Sequence, residues 1–171
     1  MKVSESSASA RGSSLIEVII AVGVLAVAIP LVFGALAESG KTNFASEAET
    51  RSTWIIPACI EEIRASREGR SRFFSATTIG QEFPPAGDIW CLAFSAEGTP
   101  LGAITKADYE KGIKNVNNRQ AFYLATLTAK AQNPAKAVGN PKMLAVHLQL
   151  EYPAGTPAAR RQKLDFYTRI P

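Results

Sequence analysis

Residues 18–37 read VIIAVGVLAVAIPLVFGALA, a stretch without a single charged side chain. About twenty consecutive apolar residues match the thickness of a bilayer core when they form a helix. The stretch therefore predicts a membrane-spanning helix near the N-terminus. It decides the architecture, because only the residues that follow it are left to build a domain in water.

The charges on the two sides of this stretch differ. Ahead of it lies a short polar segment with Lys2 and Arg11, whereas residues 38–51 carry slightly more acid than base. Basic residues accumulate on the cytoplasmic side of a membrane helix. We therefore expect a single-pass protein of the cytoplasmic (inner) membrane, with its N-terminus inside and residues 38–171 outside.

Three kinds of N-terminal segment fit these features. The first is an uncleaved signal anchor. The second is a secretory signal cut before Glu38, although the apolar run is longer than the usual signal core of about 7–15 residues. The third is a segment that needs the carboxylate of Glu17 at the edge of the apolar run. A charge at the membrane is costly without a partner, and neither of the first two segments needs one.

Residues 11–18, RGSSLIEV, resemble the cleavage and methylation motif of type IV prepilins. The resemblance implies that a membrane prepilin peptidase cuts between Gly12 and Ser13 and methylates the new amine of Ser13. It also implies that Glu17, the fifth mature residue, pairs with the amine of a neighbouring pilin or pseudopilin subunit during assembly. The family usually has phenylalanine or methionine at the position of Ser13.

The end of the chain carries a second resemblance. Residues 148–170 are similar to the tails of minor pilins, in which a strand ending in an aromatic residue and proline precedes a strand ending in Thr-x-Ile. The whole chain also resembles the Verru_Chthon cassette protein B group of pilin-like proteins. These resemblances imply a minor pilin or pseudopilin. Such a subunit lies in inner-membrane lipid before assembly, and then in a type IV pilus or type II secretion pseudopilus, in the periplasm or at the cell surface.

Residues 38–67 predict an amphipathic continuation of the helix. Pro57 predicts a kink or an interruption within it. The apolar positions recur at helical spacing and are Phe44, Ala48, Ile55, Cys59 and Ile63.

The remainder of the chain predicts a loop followed by strands. Alternation over residues 144–152 indicates a strand with one buried face. Its polar face carries Ala145, His147, Gln149 and Glu151, and we expect no ligand role for His147. Further strands are predicted at residues 89–95, 101–104, 121–130 and 164–170, and residues 105–120 are predicted as loop with one helical turn. The connections are too short for parallel crossovers, so an antiparallel sheet is expected.

The predicted fold is therefore α+β and, by resemblance, pilin-like. A long N-terminal helix spans the membrane with its first half and packs by its second half on an antiparallel sheet, which gives a two-layer head. The predicted segments are a leader at 1–12, a transmembrane or filament-core helix at 13–37, its amphipathic continuation at 38–67, a connecting loop at 68–88 and the β head at 89–171.

Few residues suit catalysis or metal binding. The chain has two cysteines, Cys59 and Cys91, and one histidine, so no metal site is expected. The two cysteines form either a disulfide or two buried thiols. No nucleophile–base pair or phosphate loop is visible, so we expect neither an enzyme nor a cofactor. The net charge of +4 is spread along the chain, and no nucleic acid partner is expected. The alternative function is a signal-anchored or secreted β-rich binding domain.

Overall fold

The computed structural model describes residues 15–76, 82–85, 87–131 and 144–170. A long N-terminal helix is followed by an antiparallel sheet, which confirms the α+β part of the prediction. The chain divides into two compact units, residues 1–45 and 46–171. The elements in order are α1 (Leu15–Arg67), β1 (Trp90–Phe94), β2 (Pro100–Ala103), α2 (Lys106–Lys111), β3 (Asn115–Val116), β4 (Arg119–Gln120), β5 (Tyr123–Ala131), β6 (Leu144–Tyr152), a 3₁₀ turn (Ala158–Arg160) and β7 (Gln162–Ile170).

Helix α1 contains two prolines and ends only at Arg67. The interruption predicted at Pro57 is absent. A proline inside a helix costs about 3 kcal/mol because it removes one hydrogen bond and crowds the preceding turn. Ile55 and Cys59, on either side of Pro57, are both fully buried in the core. Their burial offsets the cost and holds this part of the chain helical.

One face of α1 between residues 46 and 67 is buried, as the apolar spacing predicts. Ala48, Ile55, Cys59 and Ile63 are completely inaccessible and belong to the same hydrophobic cluster as the sheet. Phe44 differs from the prediction, because it is 51% exposed. The buried face therefore begins at Ala48, and two small polar residues, Ser52 and Ser66, complete it.

The sheet has five strands in the order β2–β1–β5–β6–β7, and all neighbours are antiparallel. Strand β6 lies between β5 and β7, and it pairs with β7 over its whole length and with β5 from Leu144 to Glu151. It covers the residues predicted from alternation. Strand β7 is an edge strand of the sheet and is as long as β6.

The two faces of the sheet carry different clusters. The inner face packs on α1 through residues such as Leu92, Leu127 and Leu148. The outer face carries a smaller cluster at one end, formed by Cys91, Leu124 and the elements that cover them. This second cluster is an addition to the two-layer arrangement that the sequence predicts.

The outer cluster is covered by the segment 105–120, which the sequence predicts as loop with one helical turn. It forms helix α2 and, in place of loop, the short hairpin β3–β4. Thr105 caps α2 because its hydroxyl accepts a hydrogen bond from the backbone N–H of Asp108 at 3.2 Å. Asn117 and Asn118 turn the hairpin with positive φ angles of 49° and 61°. Asparagine tolerates this conformation, and two-residue strands are too short to show alternation.

Gly112 ends α2 and allows a close contact with the connection between β6 and β7. Its φ of +92° is strained for any residue with a Cβ. A Cβ built at this position would lie 2.7 Å from the carbonyl oxygen of Thr156. Glycine is therefore required here for α2 to sit against the connection.

Candidate assembly interface

The first part of α1 exposes almost all of its large apolar side chains. Their exposed fractions range from 48% at Val18 to 78% at Leu15. The helix is long and apolar enough to span a membrane. We call this surface the apolar helix surface, and its large residues are Leu15, Ile16, Val18, Ile19, Ile20, Val22, Val24, Leu25, Val27, Ile29, Leu31, Val32, Phe33 and Leu36.

Such a surface is unfavourable in water. Each square ångström of exposed apolar area costs roughly 25 cal/mol relative to burial. Soluble monomers seldom expose contiguous apolar patches of more than a few hundred Å². Lipid chains or apolar helices of other subunits would both cover this surface at no such cost. The composition of the helix therefore indicates that this surface is covered by a bilayer, by a helical bundle, or by the one and then the other.

Glu17 is the acidic residue in the first turn of α1. The N-terminal end of a helix carries a partial positive charge, so a carboxylate is favoured there over any later turn. This is the assembly residue that the prepilin resemblance implies. The cleavage residues Gly12 and Ser13 lie outside the described residues.

The two cysteines lie in different clusters and are both free and buried. Cys59 belongs to the inner cluster together with Trp90 and Leu92. Cys91 lies between those two residues on β1, so its side chain points to the other face of the sheet and into the outer cluster. The disulfide alternative is therefore not formed in this structure. Burial raises the pKa of the Cys91 thiol, and the nearby carboxylate of Glu151 raises it further.

A buried ionic cluster lies beneath α2 on the outer face. The carboxylate of Glu151 is fully buried and accepts hydrogen bonds from Arg161 at 3.0 Å and from the Tyr109 hydroxyl at 2.6 Å. Arg161 also donates to the carbonyl oxygens of Thr156, at 2.7 Å, and of Tyr109. Its guanidinium lies 4.8 Å from the centre of the Tyr109 ring. Lys163 approaches the same carboxylate at 3.3 Å.

This cluster holds the elements of the outer face together, because it joins α2, β6, β7 and the turn between the two strands. Burial, and then the hydrogen bond to Glu151, raise the pKa of Tyr109. A paired buried charge is costly to break, since the remaining partner stays in the interior without compensation. The sequence places Glu151 on the polar face of β6. In the structure that end of the face is covered and not in water.

The remaining outward residues of β6, Ala145, His147 and Gln149, are half-buried. The ring of His147 stacks on Tyr167, with the ring centres 4.6 Å apart and the planes at 11°. Its Nε2 lies 2.6 Å from the carboxylate of Asp165, which also accepts a hydrogen bond from Gln149 at 2.8 Å. His147 is therefore anchored on the sheet surface by one carboxylate and one ring.

Within residues 15–76, 82–85, 87–131 and 144–170, no group of three or more His, Cys, Asp or Glu side chains is arranged to hold a metal ion. No protein-family model, curated protein or solved structure matches the chain. Function is therefore inferred from the residues of the chain themselves.

Proposed function

We propose that this protein is a type IV pilin-like structural subunit, a minor pilin or pseudopilin. The precursor is inserted in the cytoplasmic membrane with its N-terminus inside and its head outside. A prepilin peptidase cuts after Gly12, and the mature chain assembles through its N-terminal helix with other pilin or pseudopilin subunits.

The observation that carries the proposal is the apolar helix surface together with the carboxylate at its start. A plain membrane anchor needs only the apolar residues. Glu17 adds a charge in the first turn of the helix, where a bilayer would oppose it. In a bundle of such helices, the amine created at Ser13 of one subunit would pair with Glu17 of the next. That pairing offsets the cost of the buried charge and sets the spacing between subunits.

The alternative is an anchored or secreted β-rich binding domain. One feature favours it: residues 46–171 form a compact unit with a core of their own. Such a unit needs no filament to be folded. The two functions therefore differ in what happens to the N-terminal segment.

Mass spectrometry of the mature N-terminus separates these functions. The chain is expressed with a prepilin peptidase and purified from membranes. A new N-terminus at Ser13, with or without one methyl group, supports the pilin-like proposal. A start at Glu38 contradicts it in favour of a secretory signal, and an intact Met1 contradicts it in favour of a plain anchor. A Gly12→Leu variant is the control, because it should block the cut at Ser13 and leave the other two outcomes unchanged.

Glu17→Ala tests the assembly role. Membrane insertion should be unchanged, because the apolar run is intact, while incorporation into sheared filaments should fall strongly. Glu110→Ala removes an exposed carboxylate from α2 and is the matched control. Normal incorporation of the Glu17→Ala protein would remove the proposed role of this residue.

A further inference from the structure

Part of the outer face of the sheet is not covered by α2 or the β3–β4 hairpin. Strands alternate their side chains between two faces, and the register of β5, β6 and β7 aligns the outward residues in rows. We call this region the open sheet face. Its rows are Thr126, Gln149 and Asp165; Thr128, His147 and Tyr167; and Lys130, Ala145 and Arg169.

The last of these rows forms a depression. Ala145 pairs with Lys130 on one side and with Arg169 on the other. A short side chain between two long ones leaves space above it. The stacked rings of His147 and Tyr167 close one side of that space. The resulting cavity has a volume of about 500 Å³ and lies within the range of small-molecule sites.

The charge of the depression is positive. Lys130 and Arg169 stand on strands two positions apart, so their Cα atoms are separated by about 10 Å. Neither side chain has an ion-pair or hydrogen-bond partner within the part of the chain that the structure describes. Asp165 lies on the far side of the ring row, where it accepts hydrogen bonds from His147 and Gln149. The two cations therefore face the cavity without a described carboxylate beside them.

We propose that this depression binds a sugar that carries a carboxylate, such as a uronic acid residue. The planar guanidinium of Arg169 matches a carboxylate through two parallel hydrogen bonds, and Lys130 adds a second charge. The hydroxyl of Thr128 and the Tyr167–His147 wall suit a ring with both polar and apolar edges. The Tyr167 side chain is available for this contact, since the residue is 78% exposed.

Phosphate groups fit the site less well. Many phosphate sites in proteins add unpaired backbone N–H groups, at a helix N-terminus or in a nest, to their cationic side chains. Strand β6, at the floor of the depression, is paired on both sides, so its backbone groups are used in the sheet. The two cations are also on separate strands and not gathered at one point. A single carboxylate on a sugar-sized ring matches this spacing better.

Calorimetric titration of the full chain in a neutral detergent tests the site. The ligands are a trimer of galacturonic acid, the matching neutral galactose trimer and inorganic phosphate, all at the same ionic strength. The acidic trimer should bind, and the other two should bind much more weakly. Arg169→Gln should weaken binding by about tenfold or more, because a charge-assisted hydrogen-bond pair is lost.

Two further variants keep the proposal falsifiable. Arg160→Gln makes the same change of charge in the exposed 3₁₀ turn and should leave binding unchanged. Ala145→Leu fills the depression without changing charge and should abolish binding, while thermal unfolding verifies that the head is folded. The proposal is overturned by an absence of binding, by equal binding of phosphate or the neutral trimer, by an equal effect of Arg160→Gln, or by unchanged binding to the folded Ala145→Leu protein.

Discussion

The two compact units of this chain differ in whether their large apolar side chains are buried. In residues 46–171, the large apolar side chains of α1 and the sheet form a common core, and residues such as Ile55 and Leu148 are fully buried. In the unit that ends at residue 45, apolar residues of the same kind are exposed all around α1, as at Phe33 with 68%. The secondary structure on both sides of residue 45 is the same helix.

This difference shows that helix formation and helix burial have separate causes here. Between residues 46 and 67, the fully buried apolar residues lie on one face, and a sheet of the same chain covers that face. Before residue 45, apolar residues lie on every face, and no single sheet could cover them. Lipid, or the helices of other subunits, would cover these apolar residues.

The largest expected effect comes from removing residues 1–45. The remaining chain should be soluble in water and should unfold in one cooperative transition, because its core lies within residues 46–171. The full chain should sediment with membranes. Fractionation followed by thermal unfolding, monitored by circular dichroism, measures both properties. A shortened chain that is unfolded or aggregated would show that the head depends on the first unit.

The next largest effect is expected in the buried ionic cluster. Arg161→Met leaves the carboxylate of Glu151 buried and without its main partner, and should lower the free energy of unfolding by about 3–5 kcal/mol. Urea denaturation of the shortened chain measures it.

Arg160→Met, at the neighbouring exposed position, is the matched control and should change stability by less than about 0.5 kcal/mol. Replacing both partners, with Glu151→Leu and Arg161→Met together, should recover much of the loss. A single Arg161→Met protein as stable as the control would mean that water reaches Glu151.

Adjacent positions on α1 test the one-sided burial of its second part. Ile55→Ala should destabilise the head by about 2–5 kcal/mol, because Ile55 is completely buried and the truncation leaves a cavity. Trp54→Ala should cost no more than about 0.5 kcal/mol, since Trp54 is 67% exposed. Equal losses in urea denaturation would contradict the assignment of the buried face.

The smallest effect concerns pH and the open sheet face. Hydrogen bonds from Gln149 and then from His147 lower the pKa of Asp165 below its ordinary value of 3.8. The ionised form is thus favoured by folding. Its contribution to stability is present above the unfolded pKa and is lost as the pH falls through the lower folded pKa.

Asp165→Asn should therefore remove a small part of the acid destabilisation that the unmodified head shows below about pH 4. The thermal midpoint measured across that range provides the comparison. Glu110→Gln, which changes an exposed carboxylate on α2, should leave the fall of the thermal midpoint below about pH 4 unchanged. If the thermal midpoint of the Asp165→Asn protein falls as much as that of the unmodified head, the three side chains do not interact in solution.

The parts of the fold that the sequence predicts are those with strong periodicity. Strand β6 alternates over residues 144–152, and α1 between residues 46 and 67 repeats its apolar positions at helical spacing. Both patterns are local, because they come from the geometry of one element. The hairpin at Asn117–Asn118 and the six residues of α2 are too short for any such pattern, so the sequence predicted only loop with one helical turn in this segment.

The clusters of the head could not be read from the sequence for a different reason. Glu151 contacts Arg161 across a turn, and it contacts Tyr109, which lies 42 positions earlier in the chain. The depression over Ala145 depends on the register of three strands. No local pattern records such distances. Glu151 continues the polar alternation of β6 after Gln149, so its local pattern did not mark it as buried.

The sequence by itself determined that the first part of α1 is suited to a bilayer and has a carboxylate in its first turn. Twenty apolar residues and their flanking charges have this effect whatever the other elements of the chain do. The sequence also determined the helical and strand periods that build the head. Only the tertiary structure decided which cysteine faces which side of the sheet, which charges are buried together and which residues remain open around Ala145. These outcomes depend on strand register and on what covers each face, and both are set by contacts between residues far apart in the chain.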